Sequence, residues 1–109
     1  MNKSRRKQLE EIREKLRKFS DKTNGLIEEL NGLRDEIECV RDEEEAAYDN
    51  LPEPLQESEK GEMMQTAIDS IDAAITDVED ASDSLESCMD DIKQSLDDAV
   101  DNLQEAIGC

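Results

Sequence analysis

Nine aspartates stand at short intervals in the second half of this chain: Asp69, Asp77, Asp80, Asp83, Asp90, Asp91, Asp97, Asp98 and Asp101. Carboxylates in that number can hold a divalent cation, serve as a general acid and base, or present negative charge to a basic surface. A calcium loop needs a glycine at a fixed place among its acids, and these residues do not follow that pattern. Acid–base catalysis needs a cleft that desolvates one carboxyl group, and a chain with one Phe, one Tyr and no Trp has few large side chains from which to build it. Histidine is absent, which excludes a Cys/His zinc site and any histidine-based triad. The three cysteines, Cys39, Cys88 and Cys109, include no CxxC pair. The expectation is therefore a protein that is not an enzyme and carries no cofactor or metal. Its aspartates form either a plain solvated face or a ridge that imitates nucleic-acid phosphates.

The charge that remains is large and uneven. The chain carries −18 in all; residues 1–41 hold 11 Lys/Arg against 9 Asp/Glu, and residues 42–109 hold 2 against 22. Such a surplus repels nucleic acid and anionic membrane and steers a protein toward basic surfaces, so the expected partner is a protein with a basic surface, without direct nucleic-acid or membrane binding. The basic head, from Lys3 to Lys22, has no interleaved aromatic residues to stack on bases; it is expected to meet the acidic end of the second arm. No signal peptide precedes it, and the longest apolar runs are far below a membrane span, which suggests a cytoplasmic protein with reduced thiols.

Two long helices must carry these residues. Leu9, Ile12, Leu16, Phe19, Leu26, Leu30, Leu33, Ile37, Val40, Ala47 and Leu51 recur in steps of 3 and 4 once Thr23 and Glu44 fill the gaps, an a/d seam sustained over six heptads. A second seam runs from Met64 through Ile68, Ile71, Ile75, Val78, Ser82, Leu85, Met89, Ile92, Leu96, Ala99 and Leu103 to Ala106. Between them lies Asn50-Leu51-Pro52-Glu53-Pro54-Leu55-Gln56-Glu57-Ser58, where two prolines each remove an N–H and disfavour helix in the preceding residue. The reading is all-α: a long antiparallel hairpin of coiled-coil type, with a first arm over residues 1–50, a turn over 51–58 and an acidic second arm over 59–107. The first arm either continues through Asn24-Gly25 and Asn31-Gly32 or kinks there, since each glycine costs about 1 kcal/mol relative to alanine in a helix.

Matching the two seams pairs Ile37 with Ile71, Leu33 with Ile75, Phe19 with Met89 and Ile12 with Leu96, and puts Arg34 and Arg41 at flanking positions near Asp72 and Glu79. Thr23 and Ser82 then each face a leucine. Beside the second seam Ala67, Ala74 and Ala81 begin a lane of small residues. Val100, Leu103 and Ile107 widen the apolar stripe, and together these six residues are expected to form a second contact face used by a homo-oligomer, giving a helical bundle. At the tip, Tyr48 and Leu55 join Leu51 as either a small capping cluster or a partner-binding point.

The run from Glu43 to Met63, Glu-Glu-Glu-Ala-Ala-Tyr-Asp-Asn-Leu-Pro-Glu-Pro-Leu-Gln-Glu-Ser-Glu-Lys-Gly-Glu-Met, resembles the turn of an uncharacterised family of small acidic helical proteins carried by bacterial phages and mobile elements. The resemblance extends less specifically to Ala67-Ile68-Asp69. It implies a phage setting, in which an acidic protein of this kind would act as an anti-defence inhibitor and DNA mimic, binding the basic surface of a host nucleic-acid-processing or defence protein in the bacterial cytoplasm through the nine aspartates, Tyr48 and Leu55. The alternative is a structural coiled-coil protein such as a phage assembly component.

Overall fold

The computed structural model describes residues Met1–Cys109. Two long helices, α1 (Lys3–Asp49) and α3 (Glu59–Gly108), flank a single helical turn, α2 (Glu53–Gln56), and there is no strand. α1 runs unbroken past Gly25 and Gly32, neither of which has positive φ. The residues group into two compact units to which both long helices contribute: unit 1 comprises Met1–Glu28 with Ser84–Cys109, and unit 2 comprises Glu29–Asp83.

Unit 2 contains the turn. α1 stops at Asp49, where the Asn50 and Leu51 amides still donate to the Ala46 and Tyr48 carbonyls. Pro52 takes an extended conformation as the N-cap of α2, whose first turn needs one acceptor fewer because Pro54 has no N–H. Ser58 then bridges to α3: its carbonyl accepts from the Glu62 amide at 3.0 Å, and its hydroxyl donates to the Leu55 carbonyl. Gln56 ties the corner back to α1 by donating from Nε2 to the Tyr48 carbonyl at 3.0 Å.

In unit 2 the two helix segments run antiparallel, since Arg34 reaches Glu79 while Arg41, farther along α1, reaches Asp72, nearer the start of α3. Ile68 and Ile75 are buried on the α3 side, and the Ser82 hydroxyl, also buried, pairs with Asn31 Oδ1 at 2.9 Å. In unit 1 the segments are likewise antiparallel: Arg13 donates to Gln104, and Leu16 and Ser20 share a cleft with Leu96 and Val100. Met89 and Val100 are buried there. The Thr23 hydroxyl returns to the Ser20 carbonyl at 2.7 Å, so its polar group is satisfied within its own helix.

Apart from Ile92, which is 38% exposed, the α3 seam lies inward as its heptads predict, but α1 is turned. The inward line of α1 is Arg6, Leu9, Arg13, Leu16, Ser20, Thr23, Ile27, Leu30, Arg34, Ile37, Arg41, Glu44, Tyr48 and Leu51, all at least half-buried. It shares Leu9, Leu16, Thr23, Leu30, Ile37, Glu44 and Leu51 with the expected seam. The other half of that seam faces out: Ile12 is 46% exposed, Phe19 55%, Leu26 50%, Leu33 50% and Val40 56%. The expected pairs Leu33–Ile75, Phe19–Met89 and Ile12–Leu96 are therefore not closed core pairs, since the α1 member of each is about half exposed. α3 also sits about one helical turn farther along than that register places it, so Ser82 meets Asn31 and not a leucine.

In unit 2 the acidic α3 suits the edge of α1 that carries Arg34 and Arg41, whose alkyl stems can cover apolar surface while their guanidinium heads reach Glu79 and Asp72. In unit 1 the inward arginines find neutral partners instead, Arg13 the Gln104 side chain and Arg6 the Met1 carbonyl.

Candidate protein-interaction surface

The charge of the chain is divided unequally between the two units. Unit 1 holds ten Lys/Arg against twelve Asp/Glu, a net −2, whereas unit 2 holds three against nineteen, a net −16. Within unit 2 even the few cations are committed. Arg34 forms ion pairs with Glu79 at 2.9 Å, Glu38 at 2.5 Å and Asp35 at 3.3 Å. Arg41 pairs with Asp72 at 2.8 Å, with Asp42 at 3.4 Å and with Glu45. The hydrogen bond to Glu79 raises the Arg34 pKa, and that to Asp72 raises the Arg41 pKa, each further above its ordinary value. These are the two interhelical bridges that the sequence suggests, with Arg34 on Glu79 and Arg41 on Asp72. Lys60 is the third cation and joins no ion pair.

All nine aspartates of the second arm are exposed, and none is in an ion pair. Asp69 accepts a hydrogen bond from Gln65, and Asp98 one from Gln94, each at 3.1 Å. The nine are divided between the two units. Asp69, Asp77, Asp80 and Asp83 belong to the strongly acidic unit 2, and Asp90, Asp91, Asp97, Asp98 and Asp101 share unit 1 with the basic head. Asp97 and Asp101 line the same cleft as Arg17. No three acidic or sulfur side chains converge as the ligands of a metal ion would.

Pairing within unit 2 brings in acids that the aspartate pattern left out. Glu29, Asp35, Glu36, Asp42, Glu43 and Asp49 of α1 are exposed in the same unit as the four aspartates of α3. Their signal was present as the run of acids that begins at Glu28, but only the hairpin pairing assigns them to the same unit as Asp69–Asp83.

At the tip, Tyr48 is half-buried and Leu51 is too, whereas Leu55, expected in a capping cluster, is 44% exposed. Gln56 takes the inward place in α2. Met63, Met64 and Ala67 line a shallow trough rimmed by Glu44, Glu59 and Lys60.

The expected oligomer face on α3 is not laid out as one surface. Ala67 and Ala81 are exposed and Ala74 is half-buried, but Val100 is 8% exposed, and Leu103 and Ile107 are half-buried. These last three fill the interior of unit 1. The α3 stripe is wide there because Val100 is buried beside a half-buried Ala99. The cysteines are free and exposed. No helix is long and apolar enough to cross a membrane. No family model matches the chain, and neither does any curated protein or solved structure.

Proposed function

We propose that the chain is a non-enzymatic interaction module that places the acidic surface of unit 2 in the basic, nucleic-acid-binding groove of a partner protein. The observation that carries this reading is the net −16 of residues Glu29–Asp83, in which two of the three cations are already held in ion pairs. Carboxylates fixed on two helices give a rigid array of negative charge, and such an array lowers the reorganisation needed to dock against a lysine- and arginine-lined groove. The resemblance of the turn to small phage-borne proteins gives this reading its biological form: an inhibitor of a host nucleic-acid-processing or defence enzyme, acting as a nucleic-acid mimic in the bacterial cytoplasm.

The test is capture of bacterial lysate proteins on the immobilised chain, beside a variant with Asp69, Asp77, Asp80 and Asp83 changed to Asn. A mimic retains a nucleic-acid-binding protein that is released by salt and by duplex DNA or RNA, and the fourfold variant loses it. Retention indifferent to both salt and nucleic acid would instead favour a structural coiled-coil component. That second reading draws on the apolar edge that α1 leaves exposed.

A further inference from the structure

α1 exposes an apolar residue at every seventh position, Ile12, Phe19, Leu26, Leu33 and Val40, each roughly half open to solvent. Scattered surface leucines are ordinary, but here five large apolar side chains on one heptad position are each left only about half covered by their own unit. Three positions after each stands a charged, exposed residue: Lys15, Lys22, Glu29, Glu36 and Glu43. None of these five is in an ion pair. The flank is thus basic beside the unit 1 residues and acidic beside the unit 2 residues.

We infer that this stripe is the docking surface for a second copy of the chain, with the two α1 helices antiparallel. Unit 1 of one copy offers Ile12, Phe19 and Leu26 with Lys15 and Lys22; unit 2 of the other offers Leu33 and Val40 with Glu29 and Glu36. Ile12 then falls opposite Val40, Phe19 opposite Leu33 and Leu26 opposite its own counterpart, while Lys22 meets Glu29 and Lys15 meets Glu36. The same pairing read from the other copy gives the same contacts, so the interface is self-complementary, as a two-fold dimer requires. A parallel arrangement would instead set the two acidic units, each −16, side by side. Gly25 and Gly32 stand on the adjoining heptad position, and a Cβ on either would meet nothing within 4 Å, so neither glycine is needed for packing within a single chain. Both leave room for a neighbouring helix to approach closely.

Sedimentation equilibrium of the full chain at micromolar concentration reads the proposal directly: a dimer is expected, and a strict monomer overturns it. Phe19→Glu should raise the dimer dissociation constant at least tenfold, about 1.4 kcal/mol, with helicity by circular dichroism unchanged. Loss of helicity in that variant would mark Phe19 as interior and overturn the inference. With the native cysteines replaced by serine, Leu26→Cys should crosslink to itself under mild oxidation, whereas self-crosslinking of Val40→Cys would show a parallel pair and refute the antiparallel one. Lys22→Glu should weaken the dimer and Lys22→Glu with Glu29→Lys restore it; failure of the double exchange to restore it counts against this register.

Discussion

Gly61 packs so closely on Gln56 that a Cβ at the glycine would lie 2.0 Å from the Gln56 carbonyl oxygen and 2.5 Å from its carbonyl carbon. The first turn of α3 therefore rests against the backbone of α2, and only a residue without a side chain fits between them. The obstructing atoms are backbone, held by the Glu57 and Ser58 amide bonds and by the Gln56 side chain on Tyr48.

Gly61→Ala should destabilise the fold by about 1–3 kcal/mol, the usual cost of forcing bulk into a filled site. Urea denaturation gives the measurement, and an unchanged midpoint would show that the corner can open freely.

The opposite outcome is expected at Gly25 and Gly32. Both have helical backbone and open space where a Cβ would go. Gly25→Ala and Gly32→Ala should each stabilise the single chain by up to about 1 kcal/mol, because alanine lowers the entropy of the unfolded chain and suits the helix better. Thermal melts in a Phe19→Glu background separate this gain from association, and a lower melting temperature would mean that α1 needs flexibility there.

Much of the architecture was legible from spacing alone. The two helices, their ends near Asn50 and Glu59, the turn between them and the bridging roles of Arg34 and Arg41 all follow from heptads, prolines and charge. The rotation of α1 does not. Leu9, Leu16, Leu30 and Ile37 form a central line with an apolar edge on one side and an arginine edge on the other, and hydrophobic periodicity always selects the apolar edge. What decides between them in unit 2 is the acidity of the facing helix, a long-range property that a reading of one arm does not contain. The division of the nine aspartates between two units was hidden for the same reason. So was the role of Gly61, since no local pattern reveals that a neighbouring helical turn will lie against it.

Arg41 links two acids on two helices, donating from Nε to Asp72 at 2.8 Å while its Nη1 meets Glu45. A lysine can offer only one compact ammonium group and cannot span both. Arg41→Lys should therefore lower stability slightly, as expected for a partly exposed ion pair. A double-mutant cycle with Asp72→Asn measures the coupling; a coupling energy indistinguishable from zero would mean that Arg41 contributes through its alkyl stem alone.

Ser82 is the one buried polar side chain of α3, and its hydroxyl is satisfied by Asn31 Oδ1. Asn31→Leu should destabilise the chain by about 1–3 kcal/mol, because the serine hydroxyl is left buried without that partner. Adding Ser82→Ala to it should recover most of the loss, since both halves of the hydrogen bond are then gone. If the double variant is no more stable than Asn31→Leu alone, the pair is not the source of the effect.

Added salt at neutral pH should raise stability, which is the reverse of the usual behaviour of a salt-bridged protein. The Arg41 guanidinium is raised by its hydrogen bond to Asp72, with burial opposing, and a cation with a higher folded pKa contributes fully below its unfolded value and loses that contribution only as pH rises through the folded value. The Arg34 and Arg41 bridges therefore keep their cations throughout neutral and acid solution. Against those two bridges stand the other carboxylates of unit 2, most of them unpaired and mutually repelling. Added salt at neutral pH screens them and should raise the melting temperature, because the unpaired carboxylates outnumber the bridges that salt also screens. The decisive comparison is with the variant carrying Asp69, Asp77, Asp80 and Asp83 as Asn, in which the gain on adding salt should shrink. A melting temperature that falls on adding salt would show that the ion pairs outweigh the repulsion, and that the surplus charge of unit 2 is no strain on its fold.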